Sequence, residues 1–396
     1  MTQQKNYKKT LIACYMGFVT QAIVANFTPL LFLTFKGTYG IGLKDLALIP
    51  MIFYLTQLLV DFAATKYADK IGYRTCVVVS QVVSSVGLIL MVILPDLLPN
   101  PYVGILISVV LYSVGSGLIE VLVSPIVEAC PFENKDGMMS LLHSFYCWGA
   151  VAVIIGSTAF FALFGTENWK ILTLIWAIIP FYNTFNFINC PIERLVEDGR
   201  SLGIKQLFKM PIFWLMIILM VCTGSSESTM AQWASAFTES ALGVSKTVGD
   251  LAGPCLFAFF MGISRMLYGK MSERLNLTKT MLVCGVLAVV CYLTASLAPY
   301  PILGLAGCAL CGLAVGIMWP GTISISSQKC PRGGTAMFAF LALAGDLGGT
   351  VSPLIVGNAS ELAGGNLKIG LLVATVFPAI MVFGLIFLKK KFKKAE

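Results

Sequence analysis

The chain has 396 residues, of which 57% are hydrophobic and only 12% charged. A soluble domain carries about 25% charged residues, so this balance excludes a soluble globular protein and indicates an integral membrane protein. The net charge of +8 would suit nucleic acid or another acidic partner, but the basic residues gather in alternate loops, which argues against nucleic-acid binding.

No short charged-then-apolar leader with a small-residue cleavage site precedes the first long apolar run, so that run is read as a span. Apolar runs of about 20 residues, bounded by charges, Pro or polar turns, predict twelve spans. They lie near 10–35, 45–65, 75–96, 102–127, 138–164, 170–189, 212–237, 249–269, 280–298, 301–325, 335–357 and 367–388. The segment 190–210 carries Glu193, Arg194, Glu197, Asp198, Arg200, Lys205 and Lys209 and is the longest polar stretch. It is expected to be a cytoplasmic linker between a six-helix bundle at 1–189 and a second at 211–396, which ends in a basic tail.

With the N-terminus inside, the 27 basic residues leave only Lys36, Lys44, Lys170, Lys246 and Lys368 outside. This asymmetry places both termini in the cytoplasm of a multi-pass protein of the plasma or inner membrane. Twelve cysteines sit singly in apolar stretches, where Cys acts as a small packing residue and not as part of a disulfide framework. The CALC stretch at 308–311 is read in the same way, without a metal or redox role.

The two halves repeat. The second span ends in TKYADKIGYRT, with Asp69, Lys70, Gly72 and Arg74, and the eighth in GKMSERLNLTK, with Gly269, Glu273, Arg274 and Lys279. Cys130–Pro131 after the fourth span returns as Cys330–Pro331 after the tenth. Asp61 and Arg265 stand eight residues ahead of Asp69 and Glu273. A repeat of this length and topology is a transporter signature.

The acidic–basic–x–Gly turn after the second span, repeated after the eighth, resembles the loop motif of the major facilitator superfamily. Thr65 and Asn276 stand where that motif usually has Gly. Within the superfamily, GSGLIEVLVSPIVE at 115–128 is similar to the fourth helix of fucose-type sugar:proton symporters. LLHSFYCWGA at 141–150, GTISI at 321–325 and GDLGGTVSPLIVG at 345–357 resemble their helices 5, 10 and 11. That family carries an Asp in helix 1, where this chain has Asn26 in VANFTPLL, and it places amides where this chain has His143 and Tyr146. The resemblance implies an all-α membrane protein, with twelve transmembrane helices in two pseudo-symmetric six-helix bundles.

Polar side chains inside apolar runs are costly and mark functional positions. In the first span, Gln21 and Asn26 precede Pro29, and Gln57 follows in the second; all three are candidate solute contacts. Glu120 lies inside the fourth span and is the leading candidate for proton coupling and for accepting solute hydroxyls. On the fifth span Tyr146 lies at matching depth, and His143 one turn closer to the cytoplasm on the same face; the two either orient Glu120 or tie the two helices together. The seventh span holds Gly224–Ser225–Ser226–Glu227–Ser228–Thr229, a run too polar for lipid that must line a cavity or a helix interface. Glu227 is read as an assisting protonation site, Gln232 as a solute contact, and Trp233 as either a stacking platform or an interfacial anchor. Trp319, before Pro320, suggests an aromatic wall beside a kink. Asp346, among Gly345, Gly348 and Gly349, is a second protonation candidate or a structural pair. Asp61, Asp69, Arg74, Arg265, Glu273 and Arg274 are assigned to an inner gate and its loop motif.

The chain has no phosphate-cradling GxxxxGKS/T loop, so ATP is not the direct energy source. It has no HExxH motif and a single histidine, so no metal or other cofactor is expected. The fifth span reads WGAVAVIIGSTAFF, without the Gly–Pro-rich motif of many antiporters. No cation is read at mid-membrane to receive an anionic solute. The chain is therefore expected to be a monomeric transporter rather than an enzyme, coupling uptake of a neutral, sugar-like solute to H+. Na+ is left open as the coupling ion. Drug efflux by proton antiport and a non-transporting solute receptor are the alternative readings.

Overall fold

The computed structural model describes residues 6–195, 201–242 and 251–391. Among them every regular element is helical. Part of the linker at 196–200, the start of the eighth predicted span at 249–250, and Lys5, Lys246, Lys393 and Lys394 lie outside the described residues.

In chain order the helices are α1 (Tyr7–Leu30), α2 (Phe32–Tyr39), α3 (Leu43–Ile71), α4 (Tyr73–Leu97), α5 (Pro101–Ala129), α6 (Lys135–Phe164) and α7 (Trp169–Asn189). After the four-residue α8 (Ile204–Leu207) come α9 (Pro211–Leu242), α10 (Leu256–Met271), α11 (Leu277–Leu297), α12 (Pro301–Val315), α13 (Met318–Lys329), α14 (Gly334–Leu362), α15 (Leu367–Ala374) and α16 (Val376–Lys391). Among the described residues, eleven stretches are long and apolar enough to cross a membrane. The eighth predicted span is α10 preceded by a π-helical turn at Leu251–Cys255, consistent with twelve spans in all.

The helix ends follow from local chemistry. Asn6, Asn100, Asn276 and Asn366 each accept a backbone N–H in the first turn of a helix, using the orphan donors left at every helix start. Gly72, at φ 94°, joins α3 to α4 in a single residue, a conformation that strongly favours glycine. Asn276 has φ −79° and caps α11, so the second loop motif does not require glycine there. Pro29 interrupts the first span at Leu31, and the chain resumes as α2. Cys130 and Cys330 are both C-caps, of α5 and α13, each followed by the proline that stops the helix.

The chain forms two compact units. Unit 1 comprises Met1–Pro131, Trp148–Ser201 and Gly334–Ala339; unit 2 comprises Phe132–Cys147, Leu202–Gly333 and Phe340–Glu396. In unit 1, α5 packs along α4, α3 and α1, and α7 covers α4 and α1. Gly87 and Gly115 bring α4 and α5 close: a Cβ on Gly115 would stand 2.5 Å from the Ser80 carbonyl oxygen. In unit 2, α12 packs on α11 and α10, and α9 contacts α12, α13 and α16. The GLAGCALCGLAVG stripe forms these contacts, since a Cβ on Gly312 would meet the Phe257 carbonyl at 2.1 Å. Small residues at three- and four-residue spacing allow such close crossings.

Candidate functional site

In unit 1, three helices converge on Glu120. Gly117 of α5 faces Val60 and the Gln57 carbonyl of α3, with room for no side chain: an added Cβ would lie 2.9 Å from Val60. That approach brings Gln57 to Glu120, three residues further along α5. Gln57 Nε2 donates to Glu120 Oε2 at 2.5 Å, and Gln21 Nε2 of α1 donates to the same oxygen at 2.8 Å. Ser116 donates to Gln57 Oε1 at 2.9 Å, which turns the amide so that its NH2 faces the carboxyl. Gln21 and Gln57 are buried, at 6% and 4% exposure, while Glu120 is only half-buried. The site is a carboxyl held by two neutral amides, with part of its surface open.

Asp61, one turn beyond Gln57 on α3, is fully buried. Asn26 donates to the Ala22 carbonyl of its own helix at 2.9 Å and is not part of the Glu120 cluster. A second buried network lies nearby. Gln81 accepts from Thr20 at 3.0 Å and from Asn183 at 3.3 Å, and Asn183 also donates to the Ala13 carbonyl. The sequence analysis passed over this set, although Gln81 and Asn183 stand as polar residues in apolar runs and satisfy the same cost rule.

In unit 2 the centre is an ion pair. Arg265 Nη2 of α10 donates to Glu227 Oε2 of α9 at 3.0 Å. Pro320 has no N–H, so the Gly316 carbonyl lacks its helical donor. Arg265 Nε supplies one at 2.8 Å. Arg265 Nη1 reaches the His143 carbonyl at 3.1 Å and Cys147 Sγ at 3.2 Å, and Ser140 donates to the Arg265 carbonyl.

Arg265, assigned from the sequence to an inner gate, thus carries its guanidinium to Glu227, midway along α9. Glu227, read from the sequence as an assisting protonation site, is ion-paired with this buried guanidinium. His143 and Tyr146 belong to this unit.

The Ser/Thr run of α9 serves its crossing with α14. A Cβ on Gly224 would be 1.9 Å from the Gly345 carbonyl oxygen, and one on Gly348 2.2 Å from that of Val221. Ser225 donates to the Gly348 carbonyl at 3.2 Å, and Thr229 bonds Ser352 at 2.8 Å. Trp319 packs its ring on Gly345, and the adjacent Asp346 is half-buried. The half-buried Trp233 donates its indole N–H to the Pro353 carbonyl at 3.2 Å and lays its ring on Gly357. Gln232 is exposed.

The loop-motif residues separate by task. Arg74 donates to the carbonyls of Phe187, Ile188 and Cys190 at 2.6–2.9 Å, closing the C-terminus of α7 as cations do. Asp69 accepts from Thr335 at 2.6 Å, at the start of α14, and Tyr73 bonds the same hydroxyl. An acid at a helix N-terminus is favourably placed. Glu273 and Arg274 are exposed in a short 3-10 turn.

Comparison with known proteins gives a consistent result. The family profile described as Major Facilitator Superfamily matches residues 13–353. The chain is 23% identical over 337 residues to "Membrane protein MosC" of Rhizobium meliloti, covering 83% of this chain and 78% of that protein. Its fold is similar to that of the E. coli fucose:proton symporter FucP, with a TM-score of 0.81 at 15% identity, covering 95% of this chain and 98% of that one. It is also similar to the proton:xylose symporter XylE bound to 6-bromo-6-deoxy-D-glucose, with a TM-score of 0.82 at 11% identity, covering 97% and 95%.

Proposed function

The chain belongs to the Major Facilitator Superfamily, and on that premise we propose that this membrane transporter takes up a neutral monosaccharide or related polyol together with protons. The observation that carries the reading is the Glu120 cluster: one carboxyl, two amide side chains and a hydroxyl converge where α1, α3 and α5 meet. Carboxyl and amide groups fix sugar hydroxyls by donating and accepting in known directions. A carboxyl within a span is also the group that a proton can neutralise, and intramembrane acids mark proton relays and solute paths. Two solved proteins of the same fold are described as sugar:proton symporters, which agrees with this reading.

In the proposed cycle Glu120 takes a proton from outside, binds solute with Gln21 and Gln57, and releases both inside as the access side changes. Protonation removes a buried charge, so the two charge states favour different exposures of the site. Asp346, half-buried on α14, is the second-half candidate for a proton. The termini lie in the cytoplasm of the plasma or inner membrane, as the basic residues indicate, and the protein acts as a monomer.

The test is thermal unfolding of the purified full chain against a panel of monosaccharides, polyols and amphipathic drugs. A ligand that binds only the folded state, at free concentration L, stabilises it by RT ln(1 + L/Kd) and so raises the unfolding temperature. At least one neutral sugar or polyol is expected to stabilise the protein. Stabilisation by drugs alone, or by no member of the panel, would overturn the reading.

A further inference from the structure

Resting on the sugar reading above, we infer that Glu227, anchored by Arg265, is a solute-binding residue: a fixed anionic acceptor for a hydroxyl of the transported molecule.

A guanidinium has five N–H groups and no acceptor. In Arg265, Nε serves Gly316, Nη1 serves His143 and Cys147, and one Nη2 N–H serves Glu227. The guanidinium is thus held on backbone and side-chain acceptors, and only 3% of the side chain is exposed. It has little capacity left for a ligand anion. Glu227 is the reverse. One oxygen, Oε2, is tied to Arg265, and among the described residues no donor is placed on Oε1. Oε1 is not one of the buried orphan oxygens, and 19% of the side chain is exposed.

Depth then says what meets that surface. Glu227 lies midway along the 32-residue helix α9. A carboxylate exposed at that depth cannot face hydrocarbon, so its open side faces a polar path. The group presented there is a pure acceptor, so the ligand atom that fills it is a donor. An anionic solute is excluded because it would meet a carboxylate. A cation would feel both charges of a neutral pair and gain little. A hydroxyl donating to an ionised acceptor makes a charge-assisted bond, stronger than a neutral one. The salt bridge fixes the carboxylate in advance, which reduces the ordering cost on binding.

The experiment uses the full chain and the sugar or polyol that stabilises it in the panel. Two variants keep Arg265 from being stranded. Glu227→Asp retains the ion pair and draws the acceptor back by one methylene. Glu227→Gln/Arg265→Gln replaces the pair by neutral amides. Both are expected to unfold cooperatively and to bind the solute about ten-fold more weakly than the parent protein or worse. A deoxy analogue that lacks the contacted hydroxyl should lose affinity for the parent protein and not for the double variant. Parent-like affinity in Glu227→Asp, or recovery of affinity in the double variant, would show that the pair is only structural and overturn the assignment. A parent protein that binds no sugar or polyol would instead sink the sugar reading, and the assignment with it. The two failures are therefore distinguishable.

Discussion

The Ser116 hydroxyl donates to Oε1 of Gln57 at 2.9 Å, and this bond decides which end of the Gln57 amide faces Glu120. The terminal torsion of Gln is broad and roughly two-fold, so without Ser116 the amide can turn its carbonyl toward the carboxyl. Ser116→Ala is expected to lower solute affinity about five-fold, the equivalent of about 1 kcal/mol for one hydrogen bond, with little change in unfolding temperature. Isothermal titration of the variant checks this. Unchanged affinity would remove Ser116 from the positioning set.

The crossing of α9 and α14 has no room for a methyl group at Gly224, where a Cβ would stand 1.9 Å from the Gly345 carbonyl oxygen. Gly224→Ala is expected to destabilise the protein by about 1–3 kcal/mol or more, since backbone must move. Gly37, in α2, has nothing within 4 Å of its Cβ position. Gly37→Ala should be neutral or slightly stabilising, because Ala favours helix by about 1 kcal/mol. Paired thermal melts in one detergent make the comparison.

Trp233 holds α9 to α14 through the Pro353 carbonyl. Trp233→Phe keeps an aromatic ring and loses the N–H, so it should cost about 0.6–1 kcal/mol of stability and leave solute affinity unchanged. A large loss of affinity with unaltered melting would instead assign the indole to the solute.

The twelve spans were legible because a membrane demands long apolar runs, and Glu120 because a carboxyl in such a run is conspicuous. Gln21 and Gln57 were visible as polar residues too. Their meeting at one oxygen was not, since they stand 99 and 63 residues from Glu120, and a span pattern carries no information on which faces meet. The pairing of Arg265 with Glu227, 38 residues away in sequence, is likewise invisible in a span pattern. The signal that would have placed it was Pro320, whose missing N–H leaves the Gly316 carbonyl without a helical donor. Trp233 reads from the sequence as a stacking platform or an interfacial anchor, and its contacts with Pro353 and Gly357 depend on a helix crossing that a span pattern does not display.

The central claim, that Glu120 couples protons to solute, is tested most directly by transport in proteoliposomes with Glu120→Gln. Gln preserves shape and hydrogen bonding but cannot carry the proton. The parent protein should accumulate the stabilising sugar or polyol when the interior is made alkaline. The variant should fail to accumulate it while still exchanging labelled for unlabelled solute in counterflow. Accumulation by Glu120→Gln at the parent's level, driven by the same pH gradient, would contradict the account.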